Sequence, residues 1–257
     1  MAVFSNFFKK SIKPKTIVGM VLLPDLSTFY YSTLISRIRN TFTIESETTD
    51  ARKTILKING EEIYLSAVSL PVPSDDINEI ARGTYNWPSA REDLKDHAAH
   101  ITLILTENGT QDVVKRFKLL TRLTGMLLNV ANGLAFYSAE QSLLISKDTY
   151  LKEAERMSDA HLPLNLWIYF GIKEINGKAN AYTRGLKAFG KSELEVIDSD
   201  RHWSDVRKML FRVCHYLLTN DANFKAGQTF NYTDGQKIEI TYSDFVFVYG
   251  NCLKLVY

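Results

Sequence analysis

Little in this sequence is scarce enough to be forced, but several absences narrow what it does. It has two cysteines in 257 residues, Cys214 and Cys252, which suits a reducing compartment and buried free thiols rather than a disulfide framework. It has little charge imbalance: 31 Lys and Arg stand against 29 Asp and Glu. That balance names no partner, and no basic helix with interleaved aromatics points to nucleic acid. The longest apolar run, Ile17 to Leu23, is far too short to span a bilayer. The first residues, Met1-Ala-Val-Phe-Ser-Asn-Phe-Phe-Lys-Lys, lack the apolar core and cleavage site of a signal peptide. A cytoplasmic protein without membrane insertion is therefore the expectation.

The usual signatures of chemistry are also missing. There is no Gly-x-Ser-x-Gly elbow and no phosphate loop of the Gly-x-x-x-x-Gly-Lys-Ser/Thr type. Gly185-Leu-Lys-Ala-Phe-Gly190-Lys191 imitates the start of one, but a strand is expected after it, and without a helix N-terminus the anion cradle is absent. Of five histidines, His97 and His100 have i, i+3 spacing but straddle a helix end and a strand start, which makes a poor ligand pair. Cys214 and His215 are neighbours on a helix, so their side chains diverge. No metal and no cofactor are expected.

What is present is an ordinary globular composition, 45% hydrophobic and 23% charged, long enough for one large domain or two of about 120 residues. Residues 4–13 read as a short amphipathic helix that Pro14 stops. Strands are expected at 17–23, 53–58, 62–70, 100–106, 133–137, 164–173, 179–183 and 193–197. Helices are expected at 26–42, 76–83, 88–98, 111–130, 147–157 and 201–219, with Ser74 or Asp75, and Ser199 or Asp200, as caps. Asn59-Gly60 and Asn176-Gly177 mark tight hairpins. A third reversal at Gly185 and Gly190 would make 164–197 three antiparallel strands with no helix between 179 and 197. Strand-then-helix occurs twice, from Ile17 and from His100. The expected fold is therefore α+β, with two similarly built halves and mainly antiparallel sheets in one compact body. The boundaries are 1–15 for an N-terminal helix or tail, 16–98 for the first half and 99–257 for the second.

The stretch Tyr182-Thr-Arg-Gly-Leu-Lys-Ala-Phe-Gly-Lys-Ser-Glu-Leu-Glu195 holds the candidate site. Glu193 and Glu195 share a strand face about 7 Å apart, too far to share one proton. They suit acid–base work with Arg184 as electrostatic partner, or a structural salt bridge from Arg184 across the turn. The candidate binding residues are Arg184, Glu193, Glu195, Tyr182 and His100, and no catalytic residue is assigned.

The pattern Thr183-x-Gly185-Leu186, Phe189-Gly190, Glu193-Leu194-Glu195 resembles the close of an uncharacterised bacterial family, a domain of unknown function. Gly19-Met-Val-Leu-Leu-Pro24, Pro71, Pro73, Trp87, Ala90 and His97-x-x-His100 also fit it. The resemblance brings no established activity. It implies an association with toxin immunity, hence a non-enzymatic protein that neutralises a cognate toxin by direct binding. Acidic loops at Asp75-Asp76, Asp198 to Asp200 and Asp221 would face a basic toxin cleft. Two alternatives stay open: a small-ligand module with a pocket between the halves rimmed by Arg184, His100 and Tyr182, and an enzyme using Glu193 and Glu195. The oligomeric state is not legible.

Overall fold

A computed structural model describes residues 16–257 except 51, 85, 107–111, 234, 245, 249 and 251; the helix expected at 4–13 lies outside the described residues. The chain is α+β with two mainly antiparallel sheets in one compact body. The first sheet begins with β1 (Ile17–Leu23), whose partners β5 (Ala99–Thr106) and β6 (Ala135–Ser138) lie on either side. Beyond β5 come β4 (Glu61–Val68), β3 (Lys53–Ile58) and β2 (Ser46–Thr49); beyond β6 comes β7 (Leu143–Ser146). Every pairing is antiparallel. Strands from before and after residue 98 thus share this sheet, and the passage to the second sheet falls later, between β7 and residue 169.

The second sheet runs β11 (Thr229–Asn231), β12 (Lys237–Tyr242), β13 (Cys252–Val256), β10 (Glu193–Ser199), β9 (Lys178–Arg184), β8 (Tyr169–Ile175). Its one parallel contact is β10 with β13. Both Asn-Gly hairpins form as the sequence predicts: Asn59 and Gly60, and Asn176 and Gly177, all take positive φ, which matches a two-residue turn to the strand twist.

The helices divide the sheet faces between them. α1 (Tyr31–Arg39), α4 (Val113–Val130) and α5 (Lys147–Glu155) lie on one side of the first sheet. α2 (Ser74–Ala81) and the single turn α3 (Ala90–Asp93) cover the other, over Leu22, Ala135, Tyr137 and Leu144. α6 (Trp203–Thr219) packs on β8, β9 and β10 through Val206, Leu210, Val213, Cys214 and Leu217. One continuous apolar core joins α4, α6 and both sheets.

Several local expectations are corrected. α1 starts at Tyr31, because Asp25 folds back onto the Ser27 amide at 2.7 Å and makes a turn there. α2 begins at Ser74 after Pro73, so neither Ser74 nor Asp75 caps it. The cap of α6 is the His202 imidazole, which accepts from Ser204 N at 3.3 Å. The segment 88–98 holds only one turn, with Trp87 Nε1 and Ser89 Oγ both donating to Asp93 at 2.7 Å. β8 starts at Tyr169, since Leu164–Leu166 forms a 3-10 turn that seats Trp167, whose Nε1 donates to Thr121 Oγ1 at 2.8 Å. The three antiparallel strands β8–β10 are present, yet a 3-10 turn at Leu186–Phe189 interrupts the span expected to be helix-free.

One charged pair sits inside the first half of the core. Arg116 on α4 and Glu61 on β4 have side chains 0% and 1% exposed, with Nε and Oε2 2.8 Å apart. Arg116 Nη2 also donates to Leu105 O at 3.3 Å. Removing one member of such a pair strands a charge without water. Arg116→Ala is expected to cost about 3–5 kcal/mol in urea unfolding, and the double variant Arg116→Met with Glu61→Leu far less.

Candidate functional site

The two glutamates point to the outer face of the second sheet, opposite Leu194 and Val196, which enter the core. Both are buried, Glu193 at 2% and Glu195 at 0% exposure. A carboxylate so placed needs donors, and each has them. Glu193 Oε2 accepts from Thr183 Oγ1 at 2.7 Å, and Oε1 from the amides of Gly185 and Lys187 at 2.9 and 3.1 Å. Thr183 Oγ1 in turn accepts from Leu194 N at 2.9 Å. Glu193 therefore ties down the 3-10 turn that follows β9, and that turn carries Phe189 against Phe117 of α4, with ring centroids 4.3 Å apart.

Glu195 does the same for a more distant segment. Its Oε1 accepts from Phe247 N and Val248 N at 2.8 and 2.7 Å; its Oε2 accepts from Ser243 Oγ and, at 3.4 Å, from Val246 N. Ser243 and residues 246–248, between β12 and β13, are thereby laid across the sheet face, with Val248 and Cys252 packed on Tyr182. The Tyr182 ring lies on Gly171, its register partner, where any Cβ would stand 2.2 Å from the ring. Phe247 stacks on Tyr182 at 5.3 Å and 16°.

The salt bridge expected between Arg184 and the glutamates does not form. Their oxygens are turned toward backbone and hydroxyl donors, while Arg184 is exposed and its Nη1 donates to Ser142 Oγ at 3.1 Å. Its guanidinium carbon lies 5.7 Å from the Tyr182 ring centroid. Lys173 Nζ lies 5.0 Å from that of Phe247, so each cation rests on one ring of the stacked pair.

Arg184 and Tyr182 line a cleft of about 460 Å³ between the two sheets, with Arg82, Lys173, Ser142 and Glu79 among the other walls. Tyr169 reaches across it, its hydroxyl donating to Gly83 O at 3.1 Å. Among the described residues no ion pair engages Arg82, Lys173 or Arg184. Arg184 also borders a second cleft of about 460 Å³ with Glu140, Gln141 and Lys187. His100 is elsewhere: its Nδ1 meets Leu70 O at 2.8 Å, and it lines neither cleft. Arg82, Lys173, Ser142 and Phe247 had no sequence signal, each being an isolated residue on a different element.

The remaining chemistry-bearing groups are occupied in the scaffold. Asp200 pairs with Lys178, and Asp221 with the buried Lys191 at 2.5 Å, so these loops are partly neutralised from within. The Lys191 contact lowers the Asp221 pKa. Burial raises the Cys214 thiol well above its usual range. Burial first, and then the charge of Glu195, pushes Cys252 up to about 12. Among the described residues no group of three or more His, Cys, Asp and Glu is placed to hold a metal ion, and no helix is long and apolar enough to cross a membrane.

Residues 182–256 match a family described as a domain of unknown function, DUF4261. The match begins at Tyr182 and takes in Arg184 and both anchoring glutamates. It continues past Glu195, the last residue of the resembling pattern, through α6 to β13. The matched segment thus contains β10, β11, β12 and β13 of the second sheet whole, with only the end of β9, and lacks β8. Comparison with curated proteins and with solved structures gives no match.

Glu195→Ala should release the 243–248 loop, with a stability loss of roughly 3 kcal/mol and faster hydrogen exchange at Val246, Phe247 and Val248. Arg184→Ala, being at the surface, should change stability by less than about 1 kcal/mol. A further test concerns pH. The folded state holds the Cys252 proton up to about 12, whereas an unfolded thiol loses it near its ordinary value of 9.0. This contribution to stability is complete below pH 9 and is lost as pH rises toward 12; Cys252→Ser should flatten that part of a denaturation-versus-pH profile.

Proposed function

We propose that this chain is a non-enzymatic binding protein whose working surface is the Arg184 face of the junction between the sheets. One observation carries the reading: in the Thr183-to-Glu195 motif the side chains of Thr183, Leu186, Phe189, Glu193 and Glu195 hold loops or enter the core, whereas Arg184 is exposed, rests on the Tyr182 ring and lines both clefts. Glu193 accepts from three donors and Glu195 from four, so both carboxylates are engaged in holding loops rather than turned toward a substrate. An outward arginine supported on an aromatic ring is instead the side chain on which interfaces most often depend.

In its most concrete form the partner is a bacterial toxin and the chain its cytoplasmic immunity protein. The support is the resemblance of the motif to a family whose related families lie beside bacterial toxins. Co-expression with the product of the adjacent gene should give a complex that survives purification, with Arg184→Glu weakening it at least tenfold in titration calorimetry. No complex, and no rescue from that product's toxicity, would sink the immunity reading.

A second reading, a small-ligand module, is favoured by the cleft itself. Its volume of about 460 Å³ lies in the range that small molecules fill, and it sits at a junction where such pockets form.

A further inference from the structure

We infer that the Arg82–Lys173–Arg184 cleft is a binding site for a small phosphate-bearing ligand. This rests on the second reading above and gives that ligand its chemistry. Three cations line the cleft against one carboxylate, Glu79, and no carboxylate of the described chain lies within ion-pair distance of any of the three. Surface cations commonly find an acid nearby, and elsewhere this chain does so: Arg39 takes Glu47, Lys118 takes Asp159, Lys178 takes Asp200.

The three also come from different elements. Arg82 follows the end of α2, Lys173 lies on β8, and Arg184 ends β9. Donors converging from separate walls suit a tetrahedral oxyanion, whose oxygens can be shared among them, and two guanidinium forks add bidentate geometry. Two of the cations are already held. Lys173 rests on Phe247 and Arg184 on Tyr182, with Ser142 accepting from Arg184, so less freedom is lost when an anion arrives. The support beneath them is fixed through Glu195, which holds Phe247 by its amide. A cleft with this excess of positive charge favours at least two negative charges on the ligand, as a diphosphate carries.

The test is calorimetry of inorganic pyrophosphate against the full chain at low ionic strength. Saturable binding at one site is expected, weakened about tenfold by each of Arg82→Ala, Lys173→Ala and Arg184→Ala and by raised salt. Glu79→Gln, which removes the opposing charge, should tighten it; this variant cannot gain affinity by simple loss of fold. No saturable binding, binding indifferent to all three cation substitutions, or succinate binding as tightly as pyrophosphate would overturn the inference. Tighter binding of a phosphoserine peptide than of pyrophosphate would overturn the small-molecule assignment. The two readings fail separately. If Arg184→Glu abolishes capture of a protein partner while pyrophosphate does not bind, the phosphate inference falls and the protein-binding reading stands; pyrophosphate binding without any captured partner gives the converse.

Discussion

Two ionisable side chains on one strand face, buried with no pairing cation among the described residues, constrain the second sheet more than any other feature. A carboxylate removed from water has to be met by donors, and β10 places Glu193 and Glu195 where two loops must supply them. Each loop takes a path that brings its amides within reach. The 185–189 turn tightens over Glu193 and drives Phe189 between α4 and Trp167. Residues 246–248 cross the sheet face above Glu195 and seat Phe247 on Tyr182. The rings on which Lys173 and Arg184 rest are set by the second of these anchorings.

The first sheet is organised by a different means. β1 is buried along most of its length, pairs on both sides, and is covered on both faces by helices. Its charged feature, Glu61 with Arg116, is a contact between strand and helix rather than between strand and loop. The junction between the two sheets therefore joins a helix-covered body to one whose outer face is closed by backbone. There Tyr169, the first of the aromatic row Tyr169, Tyr182 and Phe247, reaches Gly83 just past the end of α2, and the clefts border that row.

How legible this was depended on how local the cause was. Hairpins at Asn59-Gly60 and Asn176-Gly177 are set by two residues each, and both were readable. Strands with alternating or continuous apolar character, such as β1 and β5, were equally plain. Helix starts were less so, because a cap depends on which of several polar neighbours turns inward; at α6 an imidazole, His202, does what Ser199 or Asp200 was expected to do. The α+β class with two antiparallel sheets followed from the order of elements. What could not be read was any contact closing over a long stretch of chain. Nothing near Glu195 in sequence announces Ser243 or Phe247, so an acid beside an arginine suggested a salt bridge. The donors that displaced the arginine were main-chain amides, which every residue has and no sequence pattern marks.

The parallel contact between β10 and β13 bears on the order in which the chain takes shape during synthesis. β13 lies inside the sheet, between β10 and β12, although it is made after both. Until residues 252–256 leave the ribosome, β10 keeps one side unpaired and the β11–β12 hairpin has no strand to join. Glu195 also waits, since its amide donors at 246–248 are made 51 to 53 residues after it. A nascent chain halted before that point would expose a hydrogen-bonding edge beside an uncompensated carboxylate, and chaperones that recognise open strand edges would have a well-defined interval in which to act.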